Sequence, residues 1–260
     1  MSIFKKLKKN EVSVKRTHLL SKNMSFEVVE AFRSLKASLA VSLPKKENGE
    51  GVTLLVTSAC PEAGKTTVSV NLSLMLAESN AKVLLIDADT RKGRVARYFE
   101  TNAKPGLVDC ISGQATLEEV THVYNDKFSY INCGSVSPRP YELLESSVTK
   151  HLLSALKKQY DYIVIDTPPV LLLSDALALI PETDGAVVVC RHRSSLVNDI
   201  DKTLSTLKFA KANVLGVVIN DYCPIEKGGK RYGGYNYYYS RSYASYYRNT
   251  EEEEVAITKK

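Results

Sequence analysis

A run of β-branched and aliphatic residues, Val52 to Thr57, passes directly into Ser58-Ala59-Cys60-Pro61-Glu62-Ala63-Gly64-Lys65-Thr66-Thr67, and a helical pattern follows from Lys65 to about Ser79. Buried strand, glycine-bearing turn and helix, in that order, is the context in which a Gly-Lys-Thr match acts as a phosphate-binding loop. Backbone N–H groups at the start of the helix, from Ala63 through Thr67, hold phosphate oxygens, and Gly64 lets the backbone come close. Lys65 is placed to reach the β- and γ-phosphates of ATP, and the Thr66 hydroxyl to ligate Mg2+. The loop is a variant, because Ala59 stands where the motif usually has its first glycine and Pro61 stiffens the turn.

The rest of the chain fits around that unit. Short apolar runs at 82–86, 129–132, 162–165, 186–190 and 214–219 alternate with stretches of helical length at 65–79, 141–159 and 197–211. The runs are apolar on both faces, as in strands covered by helices on both sides. The expected fold is therefore a three-layer α/β domain with a mostly parallel sheet. With 260 residues, 44% of them hydrophobic, one substantial core suffices. Ahead of it, Ser25 is placed to cap a helix whose apolar face is Val28, Phe32, Leu35 and Leu39, ending before Pro44. A linker is expected at 44–51. The division is an arm at 1–24, a domain at 25–226 and a tail at 227–260.

Two further runs end in carboxylates. Val83 to Ile86 leads into Asp87-Ala88-Asp89-Thr90-Arg91, and Tyr162 to Ile165 into Asp166-Thr167-Pro168-Pro169. Ligands of open α/β sheets bind at the carboxyl ends of the strands, so Asp87, Asp89 and Asp166 are expected beside the phosphate loop. Magnesium takes one or two carboxylates and keeps waters. Asp166 is the expected holder, and Asp87 or Asp89 the general base for an incoming hydroxyl. Asn220 ends the last run, as a turn former or, as resemblance to the wider superfamily of P-loop proteins implies, as a contact to the adenine ring.

Charge, cysteines and hydropathy narrow the classes. The first 22 residues hold seven Lys or Arg against Glu11 alone, which accounts for the whole formal excess of +6. A basic arm is thus indicated in place of a nucleic-acid-binding face. It reads either as a solvated tail or, with Ile3, Phe4 and Leu7 among the lysines, as a segment drawn to an anionic membrane. The five cysteines lie far apart, in no ligand-like spacing, which fits a reducing cytoplasm. No apolar run has spanning length. The end of the chain is different again: eight of the fifteen tyrosines fall at Tyr232, Tyr235, Tyr237, Tyr238, Tyr239, Tyr243, Tyr246 and Tyr247, among Gly, Ser, Asn and Arg. Such a segment is expected to be disordered. By itself it suits a phosphoacceptor or a sticky low-complexity segment equally.

Phosphate loop, Asp-x-Asp-x-Arg, Asp166-Thr167-Pro168-Pro169 and terminal tyrosines, in that order, resemble the bacterial tyrosine kinases of capsular and extracellular polysaccharide synthesis. The resemblance implies an ATP- and Mg2+-dependent kinase that phosphorylates its own tyrosine cluster and other protein substrates. Asp87 and Asp89 then lie in a second Walker element, A′, and Asp166 in Walker B. By the same resemblance Lys65, Thr66, Asp87, Asp89 and Asp166 carry ATP, magnesium and catalysis, with Thr66, Asp87 and Asp166 expected about the metal. Glu30, Arg33 and Lys36 match an element at subunit contacts of the family's ring-shaped oligomers, with Lys36 in place of an arginine. A separate transmembrane activator of the polysaccharide chain-length type is implied as partner, with recruitment to the inner face of the membrane. The competing reading is a partition or cell-division ATPase switch, for which a lysine at the Cys60 position and an amphipathic C-terminal helix are expected and are absent.

Overall fold

The computed structural model describes Leu19 and residues 24–43 and 49–222. The expected arm, apart from Leu19 and Met24, most of the linker, and the whole tyrosine cluster lie outside the described residues. Seven strands among the described residues form one sheet in the order β3-β4-β2-β5-β1-β6-β7. They are β1 (Val52–Ser58), β2 (Val83–Asp87), β3 (Thr121–Asn125), β4 (Phe128–Ile131), β5 (Tyr162–Asp166), β6 (Gly185–Arg191) and β7 (Val214–Asn220). All neighbouring pairs are parallel except β3 with β4.

Alternation along the central strands sends side chains into two cores. Leu54 and Val56 of β1 face a cluster with α1 (Phe26–Ser42) and α2 (Lys65–Ala77), whereas Leu55 faces the opposite cluster. That second cluster joins α4 (Leu107–Ile111), α6 (Pro140–Glu145), α7 (Ser147–Leu156), α8 (Asp175–Leu179) and α9 (Val197–Phe209) to the sheet. Short helices α3 (Val95–Tyr98) and α5 (Leu117–Val120) complete the layers. Each fully buried aliphatic side chain, such as Leu55, Leu84 or Ile163, stabilises the fold by roughly 1.5–3 kcal/mol. Helix α2 is buried from Val68 to Ala77, so the phosphate loop rests on a deeply buried helix.

Three expectations need correction. The helix expected at 141–159 is two helices, because Ser146 leaves helical geometry (φ −59°, ψ 155°) and its Oγ accepts from the Thr149 amide to start α7. β7 is not covered on both faces: Val217 and Ile219 are 41% and 56% exposed, since this edge strand pairs only with β6. Ser25 precedes α1 in extended geometry but makes no side-chain cap; its carbonyl accepts from the Val28 and Val29 amides instead. An additional strand, β3, pairs antiparallel with β4 at the other edge.

Candidate nucleotide-binding site

At the carboxyl end of the sheet, β1, β2 and β5 stop beside one another, with Val56 registered on Asp166 and Asp87 on Asp166. Side chains lock these strand ends to their neighbours. Thr57 donates to the Pro168 carbonyl at 2.9 Å and Thr167 to the Val56 carbonyl at 2.9 Å. Beyond β1 the loop turns with Ser58 Oγ bonded to the Cys60 carbonyl at 2.7 Å, and two residues take left-handed backbone, Glu62 at φ 61° and Gly64 at φ 91°. Glycine is required at 64 for a second reason: a Cβ there would lie 1.9 Å from Asn220 Nδ2. The Asn220 amide in turn donates to the Ala63 carbonyl at 3.0 Å, tying the end of β7 to the loop.

A cleft of about 670 Å³ opens over this loop, with Gly64, Lys65, Thr66 and Thr67 on one wall, Asp89 and Arg94 on another and Asn220 on its rim. Thr66 Oγ1 donates to Asp166 Oδ2 at 2.6 Å, and Ser69 Oγ to Asp166 Oδ1 at 3.1 Å. Burial pushes the Asp166 carboxyl up to about 6 against the opposing pull of Thr66, Lys65 and Ser69. Asp87 is fully buried, and burial, then the neighbouring Asp166 charge, holds its carboxyl well above the usual range. Its oxygens accept from the amides of Asp89 (3.2 Å) and Val95 (3.0 Å). Asp89 alone of the three carboxylates lines the cleft, half-buried. Burial draws the Lys65 ammonium below its ordinary pKa, partly restored by Asp166 and Asp89.

The expected residues thus fall into three groups. Gly64 to Thr67, Asp89 and Asn220 line the cleft, and Ala63, Asp87 and Asp166 are buried beside it. Glu30, Arg33 and Lys36 sit elsewhere, on α1: Arg33 pairs with Glu30, and Lys36 Nζ donates to Ser79 Oγ at 2.5 Å. The eight clustered tyrosines lie outside the described residues. Sequence reading missed several groups at the site. Arg94 forms a two-pronged pair with Glu62 of the loop, at 2.5 and 3.4 Å. The Tyr98 hydroxyl meets Thr67 Oγ1 at 2.6 Å, and Arg191 pairs with Asp221 at 2.9 Å. Arg91, the last residue of Asp-x-Asp-x-Arg, pairs with the buried Asp175 at 2.8 Å. A signal for Arg94 existed in its position, seven residues beyond Asp87 and in the same connection, but nothing in the sequence paired it with Glu62.

Fold and site together define a P-loop nucleotide-binding protein: a parallel sheet, an anion-holding turn before a buried helix, and a carboxylate bonded to the hydroxyl that follows the loop lysine. Residues 62–215 match the family model for an AAA domain. A putative tyrosine-protein kinase in the cps region of Klebsiella pneumoniae is 34% identical over 232 residues, 89% of this chain and 31% of that protein. The kinase domain of the Escherichia coli tyrosine kinase ETK superposes with a TM-score of 0.68 at 31% identity, covering 78% of this chain and 80% of that domain. The septum site-determining protein MinD of Pyrococcus horikoshii, solved with Mg-ADP, is more distant, with a TM-score of 0.57 at 26% identity over 66% of this chain and 71% of that one. The chain belongs to the family of bacterial tyrosine kinases. It spans about 30% of the length of the curated relatives it matches.

Proposed function

We propose that this chain is an ATP-dependent protein-tyrosine kinase that phosphorylates its own C-terminal tyrosine cluster and serves capsular or extracellular polysaccharide synthesis. The observation that carries this reading is the half-buried Asp89 on the cleft wall, a carboxylate additional to the Thr66–Asp166 pair. Transfer to a tyrosine needs a base for the phenolic proton, and Asp89 is the carboxylate placed to take it.

The residues divide the work accordingly. Loop amides and Lys65 bind the phosphates and stabilise charge on the transferring group. The tyrosine proton passes to Asp89, its oxygen bonds to the γ-phosphorus, and the bond from that phosphorus to the ADP oxygen breaks. Asp87, with its oxygens on the Asp89 and Val95 amides, positions the segment bearing the base. Thr66 Oγ1 and Asp166 Oδ2 offer adjacent hard oxygen donors, which suit magnesium held mainly by phosphates and water. Bound there, magnesium would neutralise phosphate charge. Asn220, on the rim, is the residue proposed for the base of the nucleotide.

Glu30, Arg33 and Lys36 of α1 are proposed as a subunit contact of a ring-like homo-oligomer. No helix of the described residues is long and apolar enough to cross a membrane. We propose recruitment to the inner membrane face by a transmembrane activator.

The test is incubation of the purified chain with γ-labelled ATP, followed by assay for acid-stable label on tyrosine. Label in the wild type and none in a folded Lys65→Ala variant are expected. Release of free phosphate without phosphotyrosine would replace the kinase with an ATPase switch.

A further inference from the structure

Arg94 occupies a position that its exposure alone does not explain. It lies at the start of α3, in a connection clamped at both ends. At one end, Gly93 presses so closely on Asp87 that a Cβ would lie 2.6 Å from Asp87 Oδ2, and the Val95 amide donates to the same oxygen at 3.0 Å. At the other end, Tyr98 at the close of α3 meets Thr67 of the phosphate-loop helix. The backbone around Arg94 is thereby fixed against the nucleotide site. Its side chain is 45% exposed and reaches over the cleft to Glu62.

Its partner is placed just as unusually. Glu62 belongs to the phosphate loop and holds left-handed backbone at φ 61°, a conformation that costs a non-glycine residue roughly 1–2 kcal/mol. It puts a carboxylate, 64% exposed, at the mouth of a turn built to attract anions. When triphosphate enters, that carboxylate repels it, while a guanidinium beside it is attracted. Arg94 is placed to act at the reaction centre: it lines the same cleft as Lys65 and Thr66 of the phosphate loop. A planar guanidinium pairs with phosphate oxygens by the same two-pronged geometry that it uses on a carboxylate.

We propose that Arg94 is a phosphate-binding catalytic residue: Glu62 holds its guanidinium when the site lacks nucleotide, and on ATP binding it passes to the terminal phosphoryl group, whose charge it stabilises during transfer. The inference rests on the kinase reading and adds to it a cationic group supplied within the same chain. Arg94 enters and leaves the step protonated, so the transfer remains one P–O bond formed and one broken, with the phenolic proton on Asp89. Glu62 is a positioning residue that parks the arginine and screens the empty loop.

The two residues are distinguished by the sign of their effects. Arg94→Ala and Glu62→Gln are compared with the wild type in titrations with ATP and ADP, each with magnesium, and in steady-state autophosphorylation. Arg94→Ala should weaken ATP about tenfold relative to ADP and cut kcat by roughly 100-fold or more. Glu62→Gln, which frees the guanidinium, should tighten ATP relative to ADP. Arg94→Lys, the control for folding, should retain part of the ATP preference, because an ammonium contacts phosphate as a point charge. A purely structural salt bridge predicts that Arg94→Ala and Glu62→Gln change the ATP-to-ADP ratio alike or leave it alone, and either result overturns the proposal. For the ratio, ATP is represented by a non-hydrolysable analogue, so that it is read without turnover. A wild type that makes no phosphotyrosine therefore refutes the kinase reading, while the ratio still decides whether Arg94 contacts the terminal phosphate.

Discussion

Asp166 shows how a single residue sets function against stability. Its carboxyl is buried, registered beside the buried Asp87, and pushed up to about 6. An unfolded chain releases that proton near pH 3.9. Because the folded pKa is the higher one, the carboxyl favours the fold below about pH 4, and this contribution is lost as pH rises through about 6. Asp166→Asn should consequently be more stable than the wild type at pH 7 by about 1–3 kcal/mol in the metal-free, nucleotide-free protein. The gap should vanish near pH 4, and phosphorylation activity should be lost. Thermal melts in chelator from pH 4 to 8 provide the check, and a gap independent of pH would contradict the assignment. Gly64 offers a second residue-scale prediction. Gly64→Ala puts a Cβ onto Asn220 and strains φ 91°, so ATP affinity should fall at least about tenfold with the fold retained, as read by nucleotide titration. At this scale the sequence was most legible for Gly64, Lys65, Thr66 and the three aspartates, because loop spacing and strand ends have local signatures. It was silent on Arg94, Glu62 and Tyr98, whose partners are 32 or 31 positions away.

Among the elements, the central strands were readable because burial on both faces leaves continuous apolar runs in Val83 to Ile86 and Ile163 to Ile165. The peripheral ones were not. β3, with Thr121, His122 and Tyr124 half-buried or exposed, carries too little apolar character to stand out, although Asn125-Asp126-Lys127 marks the turn into β4. Its pairing is set by tertiary contacts instead, including Tyr124 against Phe128 at 5.7 Å between ring centroids. The division between α6 and α7 was hidden for a similar reason: Ser146 and Ser147 suit a helix interior poorly but do not forbid it. Ser146→Ala removes the acceptor for the Thr149 amide and should cost about 1 kcal/mol. A fall in the urea midpoint with unchanged slope would show this, and no change would mean that α7 starts without its cap.

For the whole molecule, the kinase reading predicts a shift in assembly. Clustering many tails raises their effective concentration at neighbouring clefts. Each phosphotyrosine then adds about −1.5 to −2 charges near Asp87, Asp89 and Asp166 and opposes further docking. Light scattering should therefore find larger particles for unphosphorylated Lys65→Ala, and for a variant with all eight clustered tyrosines changed to Phe, than for phosphorylated wild type. Equal masses would remove the switch and leave the kinase. Glu30, Arg33 and Lys36 are the contacts under test, and the tail tyrosines the trigger.

The path of the sheet gives that assembly a length scale. Asn220 and Asp221, next to the last described residue, stand at the rim of the cleft, because β7 ends where Asn220 bonds the phosphate loop. The sequence beyond therefore continues from the doorway of the chain's own site. Tyr232 lies ten positions beyond Tyr222 and Tyr247 twenty-five positions beyond it. At no more than about 3.6 Å per residue, the first tyrosine reaches roughly 36 Å from Tyr222 and the last roughly 90 Å. If acceptors are used in trans, a neighbouring cleft farther away than the first radius can be served only by the outer tyrosines. The order in which the cluster is modified would then act as a ruler for the spacing of the subunits.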